Sequence, residues 1–187
     1  MRLLHNVAVD GPRRHRVRYE IPGHARLLTC STSNRAAVFD RPWAADLFAE
    51  HLEAARSTMA FRLIAWVLMP EHFHLLVIPD VERCPVPMVL HAIKEPVSRR
   101  VLPRARREDP ALLPRLTGTD GIARLWLRGG GHDRNITHME SLVEAARYIH
   151  ANPVKRALCR RPEQWPWSSA RWYAGDRTGP VRVDPWR

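Results

Sequence analysis

Residues 65–77 read Ala-Trp-Val-Leu-Met-Pro-Glu-His-Phe-His-Leu-Leu-Val. Two apolar runs flank a Met-Pro-Glu connection, which predicts neighbouring strands over residues 61–68 and 72–78. Because side chains alternate between the faces of a strand, His72 and His74 point to one face and Phe73 to the other. Two imidazoles on one strand face can bind a single divalent ion. The alternative is a half-buried strand whose polar face carries two histidines with no metal.

A second stretch, residues 147–155, reads Arg-Tyr-Ile-His-Ala-Asn-Pro-Val-Lys. It ends a predicted helix whose start is marked by Thr137 and Glu140 as a capping box. Tyr148 and Asn152 are four residues apart and lie on the same helix face, where a hydroxyl and an amide oxygen would face a cleft beside the sheet. The alternative is an ordinary helix tyrosine that packs on the sheet. The predicted buried face consists of Met139, Leu142, Val143, Ala146 and Ile149.

The bulk composition predicts one globular domain with extensions. The chain has 187 residues, of which 45% are apolar, enough to bury a core. Three scattered cysteines indicate a reducing cytoplasm and no disulfide framework. No apolar run reaches the roughly 18 residues of a membrane span, and no secretory signal is evident. We therefore expect a cytoplasmic, nucleoid-associated protein without a membrane partner.

The net charge points to nucleic acid as the partner. Lys and Arg number 30 against 19 Asp and Glu, which gives +11 and an isoelectric point near 11.0. The planar guanidinium of arginine, the commoner of the two cations, suits phosphate. An arginine-rich proteome encoded by GC-rich DNA is the alternative explanation of this charge.

The chain divides into three predicted parts. Residues 1–22 form a basic arm, residues 23–158 form the main domain, and residues 159–187 form a Trp-rich tail packed on it. Tryptophans of the tail could instead stack on bases. The domain is predicted to be α+β, with an antiparallel sheet and helices packed mainly on one face.

Other elements follow from periodicity and turn residues. A strand is predicted over 24–31, a helix capped by Asp40 over 41–59, and a helix over 86–102 that Pro96 should kink or interrupt. Residues 109–121 are predicted to be a flexible insertion, and residues 122–127 a short strand. One face and the end of the second helix carry cations that form either a phosphate track or a solvated face: Lys94, Arg99, Arg100, Arg104, Arg106 and Arg107.

Two motifs together resemble a known family. Residues 69–74 resemble the histidine–hydrophobic–histidine (HUH) motif of single-tyrosine transposases, and residues 148–155 resemble the tyrosine helix of their REP-associated branch. The resemblance extends from about Gly23 to Tyr173 and includes Arg134-Asn135-Ile136. It implies a ferredoxin-like sheet with the HUH motif on a central strand.

The resemblance also implies site residues and chemistry. His72, His74 and Asn152 would bind Mg²⁺ or Mn²⁺, and Tyr148 would be the nucleophile that cleaves and rejoins DNA through a 5′-phosphotyrosine. The expected partner is single-stranded or hairpin DNA, bound by a monomer or homodimer. Glu71 is predicted to be a turn or surface charge, and His150 to lie outside the site. Candidate DNA contacts are Lys94, Arg99, Arg100, Arg134, Lys155 and Arg156.

Two other functions stay open at this point. A metal-dependent phosphoester hydrolase would use His72 and His74 to activate water and would retain activity without Tyr148. A non-catalytic DNA-binding protein would bind DNA with strong salt dependence and cleave nothing.

Overall fold

The computed structural model describes residues 21–129 and 131–186, so most of the predicted basic arm (1–22) lies outside the described residues. Within them, one antiparallel sheet has the strand order β2-β3-β1-β4. The strands are β1 (Ala25–Ser31), β2 (Phe61–Met69), β3 (His72–Pro79) and β4 (His132–Ile136). The helices are α1 (Pro42–Thr58), α2 (Val86–Glu108), α3 (Leu113–Leu116), α4 (Met139–Lys155) and α5 (Ala170–Tyr173). This β-α-β-β-α-β core with the histidine strand inside the sheet confirms the predicted α+β, ferredoxin-like fold.

Residues 65–77 lie in the β2–β3 hairpin. Met69 pairs with His72 across the tight Pro70-Glu71 turn, and the pairing continues to Phe61 opposite Pro79. On its other side β3 pairs with β1. The prediction of neighbouring strands at 61–68 and 72–78 is confirmed, each strand being one residue longer at its end.

Alternation of side chains gives the two faces of β3 different environments. Phe73, Leu75 and Val77 point into the larger apolar core, which α1 and α2 cover. Leu76 points the other way, into a second apolar cluster that α4 covers. His72 and His74 share the face of Leu76, so the histidines lie on the side of the sheet where α4, the helix carrying Tyr148, packs.

The helix-end predictions are wrong in detail. α1 begins at Pro42 after Arg41, with no side-chain cap from Asp40. α4 begins at Met139 after His138, with no capping bond from Thr137, and Met139 is exposed rather than buried. No helix in the described part of the chain combines the length and apolarity that crossing a membrane requires.

Pro96 does not interrupt α2, which is helical from Val86 to Glu108 although Pro103 also lies inside it. Proline removes one backbone donor and crowds the preceding turn, which costs about 3 kcal/mol. Core contacts on both sides of Pro96 offset this cost, because buried side chains recur along the whole helix: Val89, Ile93, Val97, Val101 and Ala105.

The segment before β4 also departs from expectation. Leu112 and Leu116 are buried in a short helical segment (110–116), so the predicted flexible insertion packs on the core. Residues 122–127 form only isolated bridges, at Ala123 and Trp126, so the predicted strand is wrong. The fourth strand is His132–Ile136, which pairs with β1.

The Trp-rich tail runs along the outer edge of β2. The indole N–H of Trp165 donates to the carbonyl of Leu68 at 2.8 Å, and the Tyr173 hydroxyl donates to the carbonyl of Ile64 at 2.6 Å. The tail therefore satisfies backbone groups that an edge strand would leave unpaired. Further backbone bonds join Leu68 to Trp167, Trp66 to Ser169 and Leu63 to Asp184.

Candidate active site

The two histidines of β3 converge on one point. The Nε2 atoms of His72 and His74 are 3.1 Å apart, and their rings meet edge to face at 84°. The residues are only 6% and 5% exposed. The strand period places the two rings side by side, and their convergence makes them a candidate for binding a single ligand.

Each imidazole is oriented through its other nitrogen. Thr29 lies opposite His74 in the β1–β3 pairing, and its Oγ1 is 2.7 Å from His74 Nδ1. At the hairpin turn, Glu71 Oε1 is 3.1 Å from His72 Nδ1. Metal-binding histidines almost always hold a hydrogen-bond partner, such as a carboxylate, on the nitrogen that faces away from the metal.

Glu71 lies in the hairpin turn, as predicted, but it is buried at 5% exposure, so the prediction of a surface charge is wrong. Arg156, just beyond α4, donates to Glu71 Oε1 at 2.7 Å, and Arg35 approaches to 3.4 Å. The Glu71 backbone carbonyl accepts from both the amide and the hydroxyl of Thr32. A buried carboxylate is retained because these groups compensate for its lost hydration.

Burial and neighbouring charge set the protonation of this cluster. Burial, followed by the charge of His72, lowers the pKa of His74 to about 3. Burial also lowers the pKa of His72, against the opposing effect of Glu71. Burial alone would raise the pKa of Glu71, but the hydrogen bond from Arg156 and the charges of His72 and Arg156 give a net lowering. At neutral pH both imidazoles are therefore neutral, the form that binds metals.

Tyr148 lies beside the histidine pair. Its ring centroid is 5.5 Å from that of His74, and Lys155 Nζ lies 5.0 Å from the Tyr148 ring centroid. Tyr148 is 43% exposed, so a substrate can reach it from solvent. Its position follows from the buried stripe of α4, which packs Leu142, Ala145, Ala146 and Ile149 on the sheet and leaves Tyr148 at the flank.

Asn152 lies one turn beyond Tyr148, in a helix that continues through Pro153. Its Nδ2 donates to the backbone carbonyl of Tyr148 at 2.8 Å, which leaves the amide oxygen as the group able to bind a cation. Among the described residues, Asn152 makes no hydrogen bond to His72 or His74. Its role as third ligand stays a prediction.

The histidine pair fits a divalent ion. Two bonds of about 2.1 Å meeting near a right angle would place the nitrogens about 3 Å apart, close to the observed 3.1 Å. In the part of the chain that is described, no group of three or more His, Cys, Asp or Glu side chains could hold a metal. A metal bound here would therefore take two imidazoles and neutral oxygens, and would keep positions open for a ligand.

A cleft of about 370 Å³ opens in front of Tyr148 and His74. Its opposite wall comes from β4, where His132 and Arg134 share the face of Thr29 through the β1–β4 pairing. Arg134 was among the predicted DNA contacts, but His132 was not. His132 and Arg134 are two residues apart, the same spacing as His72 and His74 in β3. This pattern could have predicted that His132 lies at the site.

The structure does not bring every predicted DNA contact to this site. Lys94, Arg99 and Arg100 lie on α2, on the other side of the sheet. Arg100 pairs with Glu50 at 2.8 Å, and Lys94 lies 5.8 Å from the ring centroid of Trp126. Lys155 and Arg156 do lie near the site. Lys155 contacts Tyr148 and Arg156 pairs with Glu71, so both cations contact residues of the site itself.

His150 faces away from the cleft and makes stability depend on pH. Its Nε2 is 2.8 Å from Ser169 Oγ, and burial lowers its pKa to about 4. The unfolded value is about 6.5, so the unfolded chain takes up a proton first, and stability falls as pH drops from about 6.5 to about 4. We expect this residue to contribute a loss of about 3 kcal/mol across that range.

Urea unfolding of wild type and His150→Gln at several pH values measures this contribution. The slope of the unfolding free energy against pH is proportional to the number of protons taken up on unfolding. This number should be smaller in His150→Gln by up to one, so the variant should have the shallower slope. Because His72 and His74 titrate in the same direction, the difference between the proteins is the informative quantity. Equal slopes would contradict the assignment to His150.

Comparison with known proteins identifies the fold. No family model matches the sequence, and no curated protein matches it. A solved structure of a REP-associated tyrosine transposase bound to a REP hairpin matches with a TM-score of 0.64 and 17% identity, over 91% of this chain and 92% of that one. A Deinococcus radiodurans R1 structure assigned as a transposase has a TM-score of 0.45 and 19% identity, over 74% and 95%. The chain has the fold of the REP-associated tyrosine transposase.

Proposed function

We propose that this chain is a REP-associated type of tyrosine transposase. It cleaves and rejoins single-stranded DNA, at hairpin sequences, through a bond between Tyr148 and a 5′ phosphate. The observation that carries the proposal is the position of Tyr148, exposed at the mouth of a cleft with its ring against His74. The likeness in fold to a transposase that was solved with a DNA hairpin supports it.

The reaction is a transesterification at phosphorus. The Tyr148 oxygen attacks the scissile phosphate, its proton passes to solvent, and the P–O3′ bond breaks to leave a 3′-hydroxyl that takes up a proton. One phosphodiester is exchanged for another, so a second 3′-hydroxyl can reverse the step without external energy. A divalent ion held by His72, His74 and Asn152 would polarise the phosphate and neutralise charge in the transition state.

Cationic residues around the cleft serve the same chemistry. Lys155, next to the Tyr148 ring, supplies positive charge where the phenolate forms. Arg134, on the wall of the cleft formed by β4, supplies a planar donor suited to phosphate oxygens. Substrate enters between β4 and α4, with its scissile phosphate near Tyr148 and its flanks along these cations.

The test uses single-stranded hairpins from the DNA that flanks the gene, with different dyes at the two ends. In Mn²⁺ the 3′ dye should move into a denaturation-resistant protein adduct, while the 5′ dye moves into a shorter free strand. Two free fragments without an adduct would indicate a hydrolase instead. Binding without cleavage on every hairpin would indicate a non-catalytic DNA-binding protein.

Loss of one metal ligand should remove this activity. We expect His74→Gln, which keeps much of the side-chain volume, to reduce adduct formation at least about 100-fold, as should chelation by EDTA of the wild type. Rates of adduct formation over a Mn²⁺ titration measure the effect. His51→Gln, a change in α1 on the opposite face of the sheet, is the matched control and should retain the wild-type rate. Full activity of His74→Gln in EDTA would overturn the metal-dependent mechanism.

A further inference from the structure

Four side chains form a single hydrogen-bonded chain through the candidate metal site. Glu71 Oε1 lies 3.1 Å from His72 Nδ1, His72 Nε2 lies 3.1 Å from His74 Nε2, and His74 Nδ1 lies 2.7 Å from Thr29 Oγ1. Each imidazole thus uses both ring nitrogens. The proton position on one ring consequently decides the proton position on the other.

The two ends of this chain differ in chemistry. An ionised carboxylate only accepts hydrogen bonds, whereas a threonine hydroxyl both donates and accepts. Glu71 therefore requires a proton on His72 Nδ1, which leaves the His72 Nε2 lone pair to accept from His74. His74 then carries its proton on Nε2, and its Nδ1 accepts from the Thr29 hydroxyl.

We infer that Glu71 and Thr29 are positioning residues that set the tautomers of the two histidines differently. Glu71 fixes His72 in the tautomer that carries its proton on Nδ1, so the Nε2 lone pair is free for a metal. Thr29 allows His74 to change tautomer when a metal binds. The inference rests on the proposed metal-dependent function and assigns these outer contacts of its site.

Metal binding requires the Nε2 lone pair of both imidazoles. His72 already offers this lone pair. His74 has to carry its proton on Nδ1 instead of Nε2, and the Thr29 hydroxyl then rotates to accept from it. The number of protons in the site is unchanged by this rearrangement, since the proton that leaves Nε2 of His74 is matched by the one held on Nδ1.

The surroundings of Glu71 support its fixed role. Arg156 and Arg35 donate to the same carboxylate, and Thr32 holds its backbone carbonyl. The side chain is 7% exposed, so water does not compete for its acceptor oxygens. By contrast, Thr29 offers one rotatable hydroxyl beside the open cleft. In this series of four hydrogen-bonded side chains, Glu71 is the rigid end and Thr29 is the end that can adjust.

Long-range proton–nitrogen NMR spectra of histidine-labelled, metal-free protein at about pH 8, where free imidazoles are neutral, read the tautomers directly. Wild type should show the proton of His72 on Nδ1 and that of His74 on Nε2. Glu71→Ala should lose this preference in both rings, whereas Glu82→Ala, which removes an exposed carboxylate, should keep the wild-type pattern. Wild-type His72 with its proton on Nε2 would overturn the inference, even if Glu71→Ala fails to fold.

Addition of Zn²⁺, a diamagnetic probe, should move the His74 proton to Nδ1 and leave His72 unchanged. By calorimetry, Thr29→Val should bind Mn²⁺ about 10- to 100-fold more weakly than wild type, while Thr29→Ser should stay within a few-fold. Equal affinities for valine and wild type would refute the role of Thr29. Because these readouts use no DNA, they are separate from the adduct assay that tests the proposed function.

Discussion

Replacement of Tyr148 by phenylalanine is expected to abolish the protein–DNA adduct and to reduce strand cleavage at least about 1,000-fold. The variant loses only the hydroxyl, while the ring contacts with His74 and Lys155 are kept. Because Tyr148 is 43% exposed, unfolding free energy should change by less than about 0.5 kcal/mol. A denaturing gel of the double-labelled hairpin measures the effect.

Tyr173→Phe is the matched control. Its hydroxyl donates to the Ile64 carbonyl at the edge of β2, so the variant loses a structural hydrogen bond of about 1 kcal/mol and should form the adduct at the wild-type rate. An adduct that survives in Tyr148→Phe would refute the nucleophile. Adduct-free cleavage surviving in Tyr148→Phe would support a hydrolase that uses the same histidines.

The residues at the centre of the site could be predicted because local periodicity places them. The strand period puts His72 and His74 on one face, and the helix period puts Tyr148 at the flank of the buried stripe. The residues that orient the histidines could not be predicted in this way. Glu71 is buried because Arg156, 85 positions away in the chain, pairs with it, and such a partner has no local signal.

The fourth strand, β4, likewise could not be predicted from local sequence patterns. Residues 132–136 read His-Asp-Arg-Asn-Ile and have one buried apolar residue, Ile136, so hydrophobic alternation does not mark them. Asp133 is held by a two-point contact with Arg26 of β1, at 2.8 and 2.6 Å. This ion pair and the backbone ladder to β1, rather than apolar burial, fix the strand. The segment 122–127 had the stronger apolar pattern but packs as a loop.

Deletion of residues 159–187 is expected to leave a chain that does not fold, although a boundary at 158 was predicted from the sequence. The tail supplies the outer partners of β2, including bonds to Leu63, Trp66 and Leu68. Val181 and Val183 belong to the main core, which Trp167 and Trp172 also contact. Each buried apolar side chain contributes about 1.5–3 kcal/mol and each hydrogen bond about 1 kcal/mol.

A domain of this size is stable by only roughly 5–15 kcal/mol, so the combined loss of these core contacts and edge hydrogen bonds is expected to prevent folding. Circular dichroism during heating should show a cooperative transition for the full chain and none for residues 1–158. A shorter deletion, of residues 175–187, keeps the contacts of Trp165, Ser169 and Tyr173 with β2, and should fold with a lower melting temperature. A cooperative transition in the 1–158 chain would show that β2 is stable as an uncovered edge. In that case the tail would be an appendage of the domain, whereas the backbone and side-chain hydrogen bonds along β2 indicate that it completes the sheet on this side.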